Sequence, residues 1–474
     1  MTKNLVYDIH DKPKFPQLLV FALQQLLAIM AATITVPLMV SKNVPLPVDS
    51  AMSTSAALFG AGIGTIVYQL FTRFRSPVFL GSSFAFIGPM IAAFAGAVGN
   101  VSLGYLGLIF GAIFAALVYV IIAVVVKFAG TRWISKIMPA VVIGPTVALI
   151  GLSLSGAAIN DVFSYGDTVK FGLSTYFVMT PTAWVSVICA LVTLAVVILC
   201  SVYGKKMIKL IPFIIGILAG YITALIFTVI GILAGVEAIQ IIDFSPFKDL
   251  VADGVKLTTF LSLPDFTFIE AAKGFKDFNP SYLLTVAIAY TPVAFVVFAE
   301  HLADHKNLSS IIGKDLIEDP GLHRTLLGDG VGSLAGALFG GCPNTTYGES
   351  VGCVAITKNA SIITITTTAI ISVLISFLSP FVAFLDSIPG CVMGGVCITL
   401  YGFIAVSGLK MIQKVDLEDH SNLFTVSVIL IPGIGGMAMA IGGMVFITPI
   451  ACALVLGIVT NFLLTKFKKE KNDD

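Results

Sequence analysis

The sequence predicts an all-α polytopic membrane protein with 14 transmembrane segments. Of its 474 residues, 57% are hydrophobic and only 11% are charged. A soluble domain has about 25% charged residues, so this chain has too few charges to cover a water-exposed surface. In addition, 14 apolar stretches qualify as spans, because a helix needs about 20 apolar residues to cross the bilayer core, and fewer where it is broken inside protein.

Seven predicted spans precede a long polar stretch, residues 235–280, and seven follow it. This stretch contains the turn-prone pairs Ser245-Pro246 and Asn279-Pro280. With an odd number of spans in each half, the second half enters the membrane in the opposite sense to the first, which predicts inverted repeats and alternating access. The predicted spans cover 17–41, 54–72, 79–98, 103–127, 137–159, 181–202, 211–234, 281–303, 326–343, 345–357, 361–385, 390–409, 422–439 and 445–465.

The distribution of Lys and Arg predicts the orientation. With the N-terminus in the cytoplasm, few of the 27 basic residues lie outside, which agrees with the positive-inside rule. We therefore expect a multi-pass protein of the cell membrane, in contact with lipid, with both termini cytoplasmic. The first span carries no cleavage site for a signal peptide and is expected to be retained. The basic residues on the outer side are Lys42, Lys170, Lys248, Lys256, Lys273 and Lys276.

Several function classes are disfavoured. A net charge of +1 leaves no basic excess for nucleic acid. The seven cysteines lack CxxC spacing, so we expect neither a disulfide framework nor a zinc site. The glycine repeats at 60–64 and 433–436 lie in apolar helices and indicate close helix packing rather than a dinucleotide site. No HExxH, Walker or GxSxG pattern occurs, so no enzyme activity and no cofactor is expected.

The third span of each half is short and carries a polar run, at residues 80–86 and 343–350. Unwound backbone at membrane depth is tolerated only around a cavity, and interruptions at matching places in two halves indicate a binding site near the midplane. Ser, Thr and aromatic residues also favour an extended conformation. We therefore predict two short antiparallel strands, one in span 3 and one in span 10, each leading into a half helix.

Glu300 and Glu349 are acidic residues inside predicted spans, where ionisable groups are costly and indicate function. Glu300 follows an apolar run, and Asp304 lies one helical turn later on the same face. Alternatively, the eighth span ends at Ala299 and these acids lie at the surface. Glu349 lies in the broken segment, where it either binds substrate or caps the half helix. The spacing His301-x-x-Asp304-His305 is not expected to bind metal, because no further ligand cluster appears.

Several sequence blocks resemble the nucleobase-ascorbate transporter family, especially its bacterial uracil permease branch. The blocks are Gly81-Ser82-Ser83-Phe84-Ala85-Phe86, Ala299-Glu300-His301, Asp319-Pro320-Gly321-Leu322-His323-Arg324 and Pro343-Asn344-Thr345-Thr346-Tyr347-Gly348-Glu349. The family signature [QE]-[NS]-x-G-x-x-x-x-T-[RKG] matches Glu349-Ser350-Val351-Gly352-Cys353-Val354-Ala355-Ile356-Thr357-Lys358.

The resemblance implies a core domain, residues 1–136 and 281–385, and a gate domain, residues 137–234 and 386–474, with 235–280 as an extracytoplasmic loop. It also implies proton-coupled uptake of uracil or a related nucleobase, and homodimers, which are frequent in the family. The implied substrate-binding residues are Glu300, Glu349, Phe84, Gly348 and Ala32; Glu300 and Asp304 would couple the proton, and Ser83, Tyr347 and Ser350 would support the site.

Uracil offers two N–H donors and two carbonyl acceptors, which carboxylates and backbone N–H groups would satisfy. Two departures from the uracil permease pattern stand out: Ser350 replaces Asn, and Asp304 replaces His. Glu349 argues against purines, since xanthine and urate carriers typically have Gln at that position. Uracil is therefore the first expectation and xanthine or urate the alternative. An anion transporter of the same fold is less favoured, because two acids would repel its substrate.

Overall fold

The computed structural model describes residues 5–44, 51–131, 133–134, 138–171, 174–205, 207–252, 254–441 and 445–473. This part of the chain is mostly α-helical and holds nine helices long and apolar enough to cross a membrane. Many of their large apolar side chains are exposed, as on Leu191, Ile222 and Phe462, which suits contact with lipid. The prediction of a helical, multi-pass membrane protein is confirmed.

The first half begins with long helices and contains one interrupted segment. Strand β1 and a 3-10 turn, Phe84–Phe86, precede the short helix α3. The elements up to the long polar loop are α1 (Phe15–Asn43), α2 (Thr54–Phe71), β1 (Leu80–Ser82), α3 (Ile87–Gly96), α4 (Val101–Ala129), α5 (Ala140–Ser153), α6 (Ser155–Val162), β2 (Thr168–Phe171), β3 (Ser174–Phe177), α7 (Pro181–Tyr203), α8 (Met207–Leu210) and α9 (Pro212–Ala234).

The second half repeats the interruption with strand β4 and helix α14. The loop before it carries short helical turns rather than a span. The elements from this loop onward are α10 (Ser245–Asp249), α11 (Thr267–Gly274), α12 (Pro280–Ile312), α13 (Leu322–Gly340), β4 (Asn344–Thr346), α14 (Gly348–Thr357), α15 (Ile362–Ile375), α16 (Ser379–Asp386), α17 (Gly390–Ile412), α18 (His420–Ile434), β5 (Met439–Ile441), β6 (Val445–Ile447) and α19 (Pro449–Asp473).

Helix α12 is longer than the span predicted at 281–303. It continues to Ile312 and ends where Gly313 takes a left-handed conformation, with φ +73°, a common helix terminus. The helix does not end at Ala299, because buried Leu308 and Ile312 continue its apolar face. The alternative that the membrane span ends at Ala299 stays a prediction. Glu300 and Asp304 therefore lie within a continuous helix.

The two predicted strands are confirmed. Strands β1 and β4 pair antiparallel, with Leu80 opposite Thr346 and Ser82 opposite Asn344. Two further antiparallel strand pairs, β2–β3 and β5–β6, were not predicted. The eleventh predicted span is divided into α15 and α16.

Close packing at the glycine repeat of α2 is also confirmed. A Cβ at Gly60 would lie 2.6 Å from the carbonyl oxygen of Gly336, and one at Gly62 would lie 2.6 Å from that of Ala369. These distances leave no room for a side chain. Helix α2 therefore lies directly against α13 and α15 through backbone contacts.

The chain forms two compact units. The first comprises residues 1–153, 264–373 and 403–474, and the second comprises residues 154–263 and 374–402. The first unit contains both strands of the β1–β4 pair and helix α12. The predicted division into core and gate domains stays a prediction, and its boundary at residues 136 and 137 lies outside the described residues.

Candidate functional site

The β1–β4 pair holds a carboxylate of α12 against the start of α14. The hydroxyl of Thr346, the last residue of β4, donates a hydrogen bond to Asp304 Oδ2 at 2.9 Å. A Cβ built on Gly348, the first residue of α14, would lie 3.9 Å from Asp304 Oδ1. Asp304 thus lies at the junction of strand and half helix.

Glu349 lies in the first turn of α14. The N-terminus of a helix carries partial positive charge and exposed N–H groups, so a carboxylate is favourable there. Glu349 and Glu300 are half-buried; Glu349 directly follows Gly348, and Glu300 lies one helical turn before Asp304 on α12. The structure therefore brings together the three acids that the sequence predicted for the site.

The residues of α12 divide between two faces. Glu300 and Asp304 are one turn apart, whereas His301 and His305 are completely buried on another side of the helix. The His301 ring is paired with the Asp329 carboxylate through Nδ1 at 2.8 Å, and its Nε2 lies 3.0 Å from Thr325 Oγ1. Both imidazole nitrogens of His301 therefore have partners inside the protein.

His305 is held in the same way. Its Nδ1 lies 2.8 Å from the carbonyl oxygen of His301, which accepts the hydrogen bond, and its Nε2 lies 2.7 Å from the Tyr68 hydroxyl. The two histidine rings stack with their centroids 4.0 Å apart. Among the described residues, no group of three or more His, Cys, Asp or Glu side chains is arranged to hold a metal ion.

Ser350 and Tyr347, which were predicted to support the site, form hydrogen bonds to residues in and next to β1. The buried hydroxyl oxygen of Ser350 accepts hydrogen bonds from Gln25 Nε2 and, at 3.1 Å, from the Phe79 N–H. The Tyr347 hydroxyl donates to the Ser82 carbonyl oxygen at 2.8 Å. Ser350 thereby links α14 to α1 and to the residue before β1.

The other predicted site residues lie on the elements around the strand pair. Ser83 follows β1 and donates its backbone N–H to the Pro343 carbonyl oxygen at 2.9 Å. Phe84 begins the next 3-10 turn with 9% of its surface exposed. Ala32, in the middle of α1, is 1% exposed. All three residues belong to the same compact unit as the acids.

Sequence reasoning missed Asp329, Thr346 and Gln25 as members of this region. Asp329 is a fully buried acid inside the ninth predicted span, so the signal that identified Glu300 was also present there. Gln25 is likewise a polar residue within an apolar span. Thr346 was part of the polar run, but its bond to Asp304 depends on the fold.

A cavity of about 1050 Å³ opens beside Asp304 within the first unit. Helices α5, α12 and α17 contribute to its wall, and Lys306, Lys410 and Lys414 add positive charge. Of the predicted site residues, Asp304 is among those that line it. The cavity therefore reaches Asp304 from the side that carries these lysines, and its described lining contains neither Glu300, Glu349 nor a residue of the β1–β4 pair.

The arrangement suits a small polar ligand with N–H donors. Carboxylates only accept hydrogen bonds when ionised and donate one when protonated, while the first N–H groups of a half helix supply donors. Between described residues, no Lys or Arg forms an ion pair with Glu300, Asp304 or Glu349. The acids are therefore available to a ligand or a proton.

Comparison with known proteins gives the family. The model described as "Permease family" matches residues 16–442. The uracil permease of Bacillus caldolyticus is 37% identical over 97% of this chain and 94% of its own length. The uracil permease of Bacillus subtilis is 36% identical over 99% of this chain and 98% of its own length.

Solved structures with the same fold belong to proteins of low sequence identity. The transmembrane domain of the cyanobacterium bicarbonate transporter BicA matches with a TM-score of 0.56 and 14% identity, over 96% of this chain and 100% of that chain. Murine Solute Carrier 26 family member A9, an anion transporter in the inward-facing state, matches with a TM-score of 0.58 and 12% identity, over 97% and 69%. These likenesses concern the fold alone. The family follows from the match over residues 16–442 and from the two uracil permeases that match nearly the whole chain. The chain therefore belongs to the nucleobase-ascorbate transporter family of permeases.

Proposed function

We propose that this protein is a proton-coupled secondary transporter that imports uracil across the cell membrane by alternating access. The observation that carries the proposal is the junction of β4, α14 and α12, where Thr346 donates to Asp304, Glu300 lies one turn before Asp304, and Glu349 lies in the first turn of the half helix. The extended likeness to two proteins named uracil permease supports the choice of substrate.

The proposal includes 14 spans in two inverted repeats of seven, with both termini in the cytoplasm and lipid around the helices. The matching interruptions at β1–α3 and β4–α14 support the repeat, since one falls in each half. A homodimer, which the family resemblance implies, is part of the same proposal.

Each site residue has a proposed role. Glu300 and Glu349 accept hydrogen bonds from the two N–H groups of uracil, and the backbone at Phe84 and Gly348 serves its carbonyl groups. Ala32 leaves room for the flat ring. Glu300 carries the proton. Asp304 influences the proton affinity of Glu300 because it lies one turn away, and it is held to strand β4 by the hydrogen bond from Thr346. Ser83, Tyr347 and Ser350 support the strands.

Xanthine or urate is the competing substrate within the family. The carboxylate of Glu349 favours uracil. The Ser350 hydroxyl accepts hydrogen bonds from Gln25 and Phe79, so we assign this residue to support of the strands and not to the choice between substrates. An anion transporter is less favoured, because the three acids are not neutralised by Lys or Arg among the described ion pairs.

Transport assays test the proposal directly. A strain lacking its own uracil, purine and sulfate carriers would express the protein and receive radiolabelled uracil, xanthine, urate or sulfate. We expect saturable uptake of uracil that a protonophore abolishes. An excess of unlabelled xanthine, urate or sulfate should not inhibit this uptake. Uptake of xanthine or urate in preference to uracil would replace the first substrate with the second, and sulfate uptake would contradict both.

A further inference from the structure

The segment before α1 is fixed to the end of α14. The Val6 N–H donates to the Lys358 carbonyl oxygen at 2.8 Å, the Ala360 N–H to the Tyr7 carbonyl oxygen at 2.9 Å, and the Ile362 N–H to the Ile9 carbonyl oxygen at 2.9 Å. Residues 5–11 thus run beside the link from α14 to α15, with a bridge between Tyr7 and Asn359 and a turn closed by the bond from the Asp11 N–H to the Asp8 carbonyl oxygen. We call this segment the N-terminal strap.

The Ile9 side chain anchors the strap in the core. It is 4% exposed and belongs to one buried apolar cluster with Val351 and Val354 of α14 and with Leu308 and Ile312 of α12. Burial of a large aliphatic side chain is favourable because it removes apolar surface from water. The strap therefore shares one buried cluster with both helices that carry the predicted carboxylates.

These contacts lie close to the site along each helix. Helix α14 has ten residues, about 15 Å, with Glu349 in its first turn and Lys358 directly after its end. Leu308 follows Asp304 by one turn on α12. Side chains pack densely in protein interiors, so a change at one end of so short a helix shifts the other end.

We propose that the N-terminal strap is a positioning element of the transport site, with Ile9 holding α12 and α14 in the spacing that places Glu300, Asp304 and Glu349 around the substrate. This inference rests on the proposed function. Ile9 itself touches no substrate and acts through the two helices. The strap would therefore set substrate affinity as well as stability.

The ion pair of Asp8 with Lys314 has a smaller part. Burial would raise the pKa of the Asp8 carboxyl, but hydrogen bonds from Lys314 and the Ile9 N–H hold that pKa below its usual value. The two side chains remain 43% and 47% exposed, and such pairs are worth little. The apolar anchor, rather than the charge pair, is therefore the feature to test.

Three variants separate positioning from general stability. Ile9→Ala removes the anchor, Ile9→Val keeps most of it, and Val6→Ala changes a strap residue that is 59% exposed. We expect Ile9→Ala to weaken uracil binding by between about twofold and thirtyfold, the range seen when remote packing couples to a site. Ile9→Val should recover most of the affinity, and Val6→Ala should match the unmodified protein. The measurement is isothermal titration of purified protein, with thermal stability recorded in parallel.

A second measurement needs no substitution. If the strap positions the site, uracil binding must stabilise the strap by the same free energy, because coupling is reciprocal. Saturating uracil should therefore slow hydrogen exchange at the amides of Ala360 and Ile362 in the unmodified protein.

The outcomes are distinct. Unmodified protein that binds no uracil would contradict the proposed function, and the strap proposal with it. The strap proposal alone would be overturned if Ile9→Ala bound uracil normally and uracil did not change the hydrogen-exchange rates of the Ala360 and Ile362 amides. This holds whatever the loss of thermal stability in Ile9→Ala.

Discussion

At the scale of single residues, the site is defined by acids that form no ion pair with a Lys or Arg in the part of the chain that the structure describes. Glu300, Asp304 and Glu349 lie close enough to affect one another, and Asp329 behind them is paired with His301 rather than with Lys or Arg. Like charges in a partly buried site favour proton uptake or a ligand that donates hydrogen bonds. The identity of each carboxylate therefore has separate consequences for binding and for coupling.

Glu349→Gln tests substrate recognition. The change removes a charged acceptor and keeps the size of the side chain, so we expect uracil binding to weaken by about 1.5–3 kcal/mol, the value of a hydrogen bond to a charged group. Glu318→Gln, at an exposed position, is the matched control. Isothermal titration with purified protein provides the affinities, and equal values for the two variants would mean that Glu349 only stabilises the start of α14.

Glu300→Gln tests proton coupling. An amide cannot change charge with pH, so we expect loss of uracil accumulation driven by an imposed pH gradient in vesicles, and binding that no longer varies with pH. Asp304→Asn should impair transport with a smaller effect on binding, because Thr346 can still hydrogen-bond to the amide. If Glu300→Gln vesicles still accumulate uracil in response to the gradient, another residue carries the proton.

Single residues also show which parts of the site could be predicted from the sequence. Glu300 and Glu349 were identified because an acid in an apolar span is unusual. The direction of His301 and His305 was not predictable, since their partners Asp329 and Tyr68 come from α13 and α2. Periodicity along α12 indicates which residues share a face, but not which neighbouring helix covers that face.

At the scale of elements, a small residue in β1 makes room for the tyrosine that follows β4. A Cβ on Gly81 would overlap the ring of Tyr347, whose hydroxyl donates to the Ser82 carbonyl oxygen. The strand pair therefore depends on the absence of a side chain at Gly81. Both half helices, α3 and α14, begin from this pair.

Gly81→Ala tests that dependence. The added methyl group must displace Tyr347, and overpacking of this kind costs about 1–3 kcal/mol. We expect a lower melting temperature and weaker uracil binding than for the unmodified protein. Gly402→Ala is the control, because a Cβ there has no neighbour within 4 Å. Equal melting temperatures and affinities for both variants would show that the strand pair tolerates the methyl group.

The elements differ in how well the sequence predicted them. Strands β1 and β4 were predicted because polar residues interrupt apolar spans at matching places. The β5–β6 pair, which contains Met439 and Ile447, lies in an apolar stretch. Such a stretch is equally compatible with a buried strand and a buried helix, so the sequence did not predict this pair. Helix α12 extends beyond the span predicted at 281–303, because buried Leu308 and Ile312 continue its apolar face past the acids.

At the scale of the whole molecule, orientation in the membrane decides which face of the site meets which compartment. The chain alone supports a cytoplasmic N-terminus through its basic residues. The lysines around the 1050 Å³ cavity, Lys306, Lys410 and Lys414, all belong to segments predicted to be cytoplasmic. Access to Asp304 through this cavity would then be from the inside.

Cysteine labelling tests the orientation. Asp249 ends α10 in the predicted outer loop, and Glu418 lies between α17 and α18; both are exposed. An impermeant maleimide should label Asp249→Cys in whole cells, and Glu418→Cys only after permeabilisation. The unmodified protein, whose cysteines are buried except for the half-buried Cys200, sets the background. The reverse pattern would contradict the topology and the inverted repeat.

The bond between the Phe79 N–H and Ser350 Oγ joins residues 271 positions apart, one from each half of the chain. The β1–β4 ladder beside it also requires both halves. During synthesis, the ribosome delivers the first half into the bilayer while β1 still lacks its partner, and its N–H and C=O groups need temporary partners such as water or another protein. Uracil recognition can therefore arise only after the later helices have inserted, and a ribosome-stalled intermediate that ends within 235–280 should be unable to retain the nucleobase.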